Sequence, residues 1–276
     1  MEKNLILGDI SFYDVDDLAL AEFAFYQGDL IRTEIFAQRA IGKAREKKEY
    51  EIEIYALFYL IRINLAAGRP EQIADILKQM EEGLNRGKIP GPVYEIVLGW
   101  FFIHISQRQR IAPRLKAGID KSNIPALFNS LEILVRTKYF YGEKHCPPAL
   151  AAPENQAESY APGSGLFGKI EMKVLEAVYL YHEKKGEEAF QTFKEAYQTA
   201  TPNALNMPFI EMGKDMCILV NGVIKYDKLG IPIEWLEEIL KKSAAYAKKL
   251  LAITKKFRVR TTNKKDPLPI STVALC

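Results

Sequence analysis

The sequence predicts an all-α protein built as a helical repeat, an α-solenoid, and three observations lead there. A pattern of helix, turn and second amphipathic helix returns along the chain, with turns at Gly28, Gly68, Ser106, Lys144 and Lys184 to Gly186. These lie 40, 38, 38 and 40 residues apart, and a fixed period in this range marks stacked helix pairs. No stretch alternates apolar and polar residues long enough to make a strand. Glycine and proline fall between the helix-period stretches rather than through them.

The first pair is expected over Val15 to Tyr26 and Ile31 to Glu46, turning on Gly28 within Phe23-Ala-Phe-Tyr-Gln-Gly-Asp-Leu. The second covers Tyr50 to Ala67 and Pro70 to Leu84, with Pro70 just past the turn, where its fixed φ and missing N–H suit the first helical position. Two prolines and two glycines make Asn85 to Pro92 a loop. Val93 to Ile105 and Arg110 to Gly118 form the third pair. Leu127 to Tyr141 opens a fourth, whose partner carries Pro147, Pro148 and Pro153. An interior proline costs a helix about 3 kcal/mol, so an irregular segment is expected there. Ala161 to Gly168 reads as a connector. Lys169 to His182 and Glu187 to Ala200 make the fifth pair, and Thr201 to Pro208 another loop. Helices are expected at Phe209 to Lys225 and Pro232 to Val259. In the last of these Leu236, Leu240, Ala247, Leu250, Thr254 and Phe257 keep helical spacing, while Lys241-Lys242, Lys248-Lys249 and Lys255-Lys256 recur every seven residues.

Composition bounds the function. The 276 residues, 48% hydrophobic and 26% charged, are those of an ordinary folded protein. The longest apolar runs, such as Tyr55 to Ile61, end at a charge (here Arg62) far short of the roughly 20 residues of a membrane span. Met1 to Gly8 has neither the apolar segment nor the cleavage site of a signal peptide, so cytoplasmic residence is the expectation. Cys146, Cys217 and Cys276 are odd in number and lack any CxxC pairing, which implies neither a disulfide framework nor a zinc site. The net charge of +3 conceals an asymmetry. Residues 1–240 carry 28 basic and 34 acidic residues, whereas residues 241–265 carry ten Lys or Arg and no Asp or Glu.

Nothing in the sequence resembles catalytic apparatus. Gly163-Ser-Gly165-Leu-Phe-Gly168 fits a bare GxGxxG, but the strand that a dinucleotide site needs before it is missing, so a plain connector is the reading. His104, His145 and His182 stand in no metal-binding frame, and no cofactor motif, nucleophile elbow or Walker loop occurs. Acidic pairs such as Glu81-Glu82, Glu187-Glu188 and Glu237-Glu238 read as solvated helix surface. The lysines after residue 240 read as a solvent face that also complements a helix C-terminus. The alternative is a track for phosphates, though no interleaved aromatic stripe accompanies it. Helix pairs stack into a curved superhelix with a concave face. Tyr59, Trp100, Tyr139 and Tyr179 are candidates to line a ligand groove there, and Tyr26, Phe58, Phe101, Tyr141 and Tyr181 complete an aromatic set that at these spacings is more often the packing between repeats.

Three runs carry a family resemblance: Leu20-Ala-Glu-Phe-Ala-Phe-Tyr-Gln-Gly-Asp-Leu, Ala37-Gln-Arg-Ala-Ile, and Tyr59-Leu-Ile-Arg-Ile-Asn-Leu-Ala-Ala-Gly-Arg. Together they resemble the tetratricopeptide-like sensor region of bacterial LuxR-type transcriptional regulators of the MalT-like kind. Leu98-Gly-Trp100-Phe-Phe adds to the likeness, and Thr262-Asn-Lys-Lys-Asp-Pro-Leu-Pro-Ile-Ser271 resembles the linker into such a regulator's DNA-binding domain. The resemblance implies a repeat domain over residues 1–260 and a linker over 261–276. It implies no enzyme, but a sensor whose partner is a protein or a small-molecule inducer. Self-association is compatible with it. DNA would be reached only through a helix-turn-helix domain that these 276 residues do not contain. The rival expectation is a stand-alone scaffold for protein–protein contacts.

Overall fold

The computed structural model describes residues 12–117, 124–142 and 165–258, and these are all-helical. Twelve α-helices follow one another among the described residues. They are α1 (Phe12–Gln27), α2 (Leu30–Lys47), α3 (Tyr50–Ala67), α4 (Pro70–Gly87), α5 (Gly91–His104), α6 (Pro113–Lys116), α7 (Ala126–Gly142), α8 (Gly165–His182), α9 (Gly186–Ala200), α10 (Met207–Ile210), α11 (Lys214–Tyr226) and α12 (Ile233–Phe257). The proline-rich partner of α7, the turn at Lys144, and Cys146, His145 and Cys276 lie outside the described residues, as does the linker over 261–276.

Four of the expected turns share one backbone geometry, which also closes other helix ends among the described residues, at Lys48, Lys88 and Ala204. Gly28, Gly68, Ser106 and Lys184 all take left-handed φ, at 86°, 79°, 57° and 63°. Each is followed by the same pair of hydrogen bonds. Gly28 N and Asp29 N donate to Phe25 O and Ala24 O, Ser106 N and Gln107 N to Ile103 O and Phe102 O, and Lys184 N and Lys185 N to Tyr181 O and Leu180 O. Gly68 N and Arg69 N do the same to Leu65 O and Asn64 O. This double closure satisfies carbonyls that a helix end leaves without partners. Two of the four positions lack the backbone freedom of glycine and hold Ser106 and Lys184 in a conformation that costs L-residues about 1–2 kcal/mol.

Two expected helices differ. The stretch from Arg110 to Gly118 is not one helix: a 3-10 turn (Arg108–Arg110) is followed by the single turn α6, because Pro113 at its first position requires an extended residue before it, Ala112. The expected helix from Phe209 to Lys225 is broken after α10 by Gly213, whose φ of 55° and ψ of −119° are open only to glycine without strain. Elsewhere the bounds move by a few residues, and α8 starts inside the expected connector, at Gly165.

Helix α3 is the axis of the core. Its buried residues run almost without interruption from Ile52 to Ala66, because α1, α2, α4, α7 and α12 all pack on it. A helix apolar all round is one buried all round. Helices α8 and α10 close the remaining side. Tyr26 of α1 stacks on Phe167 of α8, with ring centroids 4.2 Å apart and 10° between planes, and α1 also packs on α10. The first helix therefore rests directly on the later ones. Helix α12 crosses the ends of α3 and α5: Lys249 Nζ donates to Ala66 O at 2.7 Å, Thr254 Oγ1 to Ile105 O at 3.2 Å, and Gln107 Nε2 to Phe257 O at 2.8 Å. Lys256 pairs with Glu71 at the start of α4.

Candidate functional site

Placing a charge on the all-buried helix α3 demands an answer from its neighbours, since an unpaired buried guanidinium is very costly. Two charges on α3 are buried: Glu53, which pairs with Arg45 and Arg86, and Arg62, which is 2% exposed. Its Nε donates to Glu211 Oε1 at 3.2 Å and its Nη2 to Glu211 Oε2 at 2.5 Å, a two-point pair. The same Nη2 reaches Glu171 Oε1 of α8 at 2.9 Å. Glu211 sits in the bend that Gly213 makes between α10 and α11, so the broken helix delivers the carboxylate. Around the guanidinium stand five aromatic rings, the nearest Phe25 at 4.2 Å from Cζ, then Tyr26, Tyr59, Trp100 and Phe58 at 5.3 to 5.6 Å. Each face that sees the cation is attractive through its quadrupole.

Two further polar chains lead away from this centre. Tyr59 Oη donates to Glu22 Oε1 at 2.6 Å. Burial pushes the Glu22 carboxyl above its usual range, against the lowering effects of the Tyr59 hydroxyl and Arg62 and with help from Glu171. On the other side His104 stacks on the Trp100 ring at 3.7 Å, and its Nδ1 lies 2.8 Å from Trp100 O. Lys138 Nζ stands 3.4 Å from His104 Nε2. Nδ1 faces a carbonyl, which only accepts, so it carries the proton, and Nε2 accepts from the ammonium. Burial, and next the Lys138 charge, hold His104 well below the usual histidine range. Burial likewise lowers the Lys138 ammonium, against the attraction of Glu211 and Glu171. With Glu22 and His104 held toward their neutral forms, Arg62 and Lys138 balance Glu171 and Glu211. Trp100 Nε1 and Tyr246 Oη, both buried, have no hydrogen-bond partner among the described residues.

The residues expected to line a groove are parted by this arrangement. Tyr59 and Trp100 are wholly buried in the walls of the Arg62 cage. Tyr139 and Tyr179 are half-buried on α7 and α8, where Tyr179 stacks on Tyr141 with centroids 4.4 Å apart, and Lys116 Nζ stands 5.9 Å from the Tyr139 ring. Among the described residues no group of three His, Cys, Asp or Glu could hold a metal ion, and no helix is long and apolar enough to cross a membrane. His182 is exposed, and Gly165 and Gly168 of the glycine pattern belong to the first turn of α8. The acidic members of the cage, Glu22, Glu171 and Glu211, escaped the sequence reading. Their signal is faint but present: single charges at positions where the helical period calls for apolar residues.

What the cage can do is hold six helices and one bend to a common point. It offers two cations and two unpartnered donors in a water-poor interior. Comparison with protein-family models, with curated proteins and with solved structures finds no match.

Proposed function

We propose that the chain is a tetratricopeptide-like superhelical repeat module that works by binding, as the sensing and protein-interaction part of a LuxR-type regulator. The observation that supports this reading is that the expected turns at Gly28, Gly68, Ser106 and Lys184 share one left-handed geometry with paired hydrogen bonds, a closure that recurs at the helix ends at Lys48, Lys88 and Ala204. Repeats of this kind present surface rather than chemistry. The Arg62 cage supplies a two-state element in principle: a ligand or partner that prefers one packing of α1, α3, α8 and α12 shifts the population toward it. Reading the genomic DNA on both sides of the 276 codons tests the regulator reading. A helix-turn-helix pattern joined to this frame is the expected result, and its absence on both sides overturns the reading.

A second reading, a stand-alone scaffold for protein partners, is favoured by the burial of Tyr59 and Trp100, which leaves the outer helix faces as the binding surface. The same sequencing result separates the two.

A further inference from the structure

The lysine pairs of α12 divide into two rows with different fates. Lys242, Lys249 and Lys256 are used by the protein itself: Lys242 pairs with Glu238 at 2.5 Å, Lys249 closes the C-terminal end of α3 at Ala66 O, and Lys256 pairs with Glu71. Lys241, Lys248 and Lys255 stand exposed on the side of α12 opposite its buried residues Ser243, Tyr246, Ile253 and Phe257, and no carboxylate among the described residues pairs with them. Between them on the same stripe lie exposed Ala245 and Ala252, with Leu251, 65% exposed, along one edge.

Spacing and shape decide what fits such a stripe. Seven residues of helix advance about 10.5 Å, so the three cations form a straight row with that pitch. A DNA duplex carries a charge about every 1.7 Å along its axis, far denser than this row. A second α-helix with acidic residues seven apart has the same pitch. Alanines between the lysines allow its axis to approach within the ~8–10 Å of packed helices. Leu251, 65% exposed, offers an apolar contact at the edge of the stripe.

We infer that the outward stripe of α12 docks an acidic amphipathic helix of a partner protein. Its carboxylates seat on Lys241, Lys248 and Lys255, and its small or apolar positions lie on Ala245, Ala252 and Leu251. This goes beyond the sensor reading and holds whether or not a DNA-binding domain adjoins the chain.

The experiment uses the full chain and a labelled synthetic helix of three identical acidic heptads, read by fluorescence anisotropy at low salt. A peptide of the same composition with scrambled glutamates and a short DNA duplex serve as comparisons. The heptad peptide is expected to bind about tenfold more tightly than either, and Lys241→Gln, Lys248→Gln and Lys255→Gln together to weaken it about tenfold. Replacing exposed Lys78, Lys169 and Lys214 by Gln removes the same charge and is expected to leave binding within about twofold. The inference is overturned by absence of binding, by equal binding of the scrambled peptide, or by equal loss in the two triple variants. DNA that binds more tightly than the peptide, and depends on the same three lysines, overturns it in favour of a nucleic-acid face.

Discussion

Arg62 and Glu211, 149 residues apart in the chain, meet in the interior through two hydrogen bonds, and each side chain is almost wholly out of solvent. Removing one partner leaves the other charged and buried, which costs about 3–5 kcal/mol. Arg62→Met is expected to cost more than Glu211→Met, because it strands Glu171 as well. The double variant Arg62→Met/Glu211→Met is expected to be more stable than Arg62→Met alone. Urea denaturation of the four proteins measures this, and strictly additive losses would show that the two residues do not act as a pair.

The cage also sets opposing pH dependences. His104 is held below 6.5, so as pH falls through 6.5 the unfolded chain gains a proton that the folded one refuses, and stability declines. Glu22 is held above 4.5, so over the window above 4.5 the folded chain keeps a proton that the unfolded one has lost, and its contribution declines as pH rises. The two groups thus give slopes of opposite sign, Glu22 from pH 4.5 upward and His104 from pH 6.5 downward. Glu22→Gln keeps an oxygen to accept from Tyr59 and is expected to steepen the loss of stability toward acid. His104→Asn keeps a donor for Trp100 O and is expected to flatten or reverse it. Each full slope is bounded at about 1.4 kcal/mol per pH unit. Stability curves at half-unit steps check both signs.

The turns were legible because a turn is local: Lys184 was readable as a turn from its distance to Gly28 and Gly68, with no glycine at its own position. The cage was not. Arg62 reads as the polar end of an apolar run, and nothing within forty residues of it announces Glu171 or Glu211, which arrive by tertiary packing. The break at Gly213 is hidden for a related reason, since Phe209, Met216, Leu219, Val220 and Val223 keep apolar character across it. Pro113, inside the expected helix from Arg110 to Gly118, is the local signal that α6 starts there. Tyr59 and Trp100 follow the commoner fate of an aromatic on the first helix of a pair, burial in the core, and only their neighbours decide it.

Lys184→Gly is expected to stabilise the protein. It removes the left-handed strain on a side chain and returns part of the gain as extra freedom of the unfolded chain, for a net of about 0.5–1 kcal/mol. Ser106→Gly should behave alike, whereas Gly68→Ala, at φ 79° with Lys249 carbons close to the added methyl, should cost at least as much. Thermal melting resolves these as shifts of about 2–3 °C of opposite sign.

Gln107 and Thr254 tie the last turn of α12 to the end of α5. Gln107→Leu with Thr254→Val leaves Phe257 O unpaired, at a cost of about 1–3 kcal/mol confined to that turn. Amide exchange over residues 250–257 is expected to speed up about tenfold while that of α3 is unchanged. Equal acceleration in both helices would mean that α12 opens only with the whole molecule.

The stacking of Tyr26 on Phe167 has a consequence for how this chain can be cut and joined. In an open array of helix pairs a unit can be shed from either end with little effect on the rest. Here α1 packs on α8 and α10, so the first helix and the later ones depend on each other. Deleting α1 and α2 removes Glu22 and two rings of the Arg62 cage at once, and the loss falls on the far end of the sequence. Replacing α1 by a helix of another protein would require replacing the faces of α8 and α10 that it packs on as well.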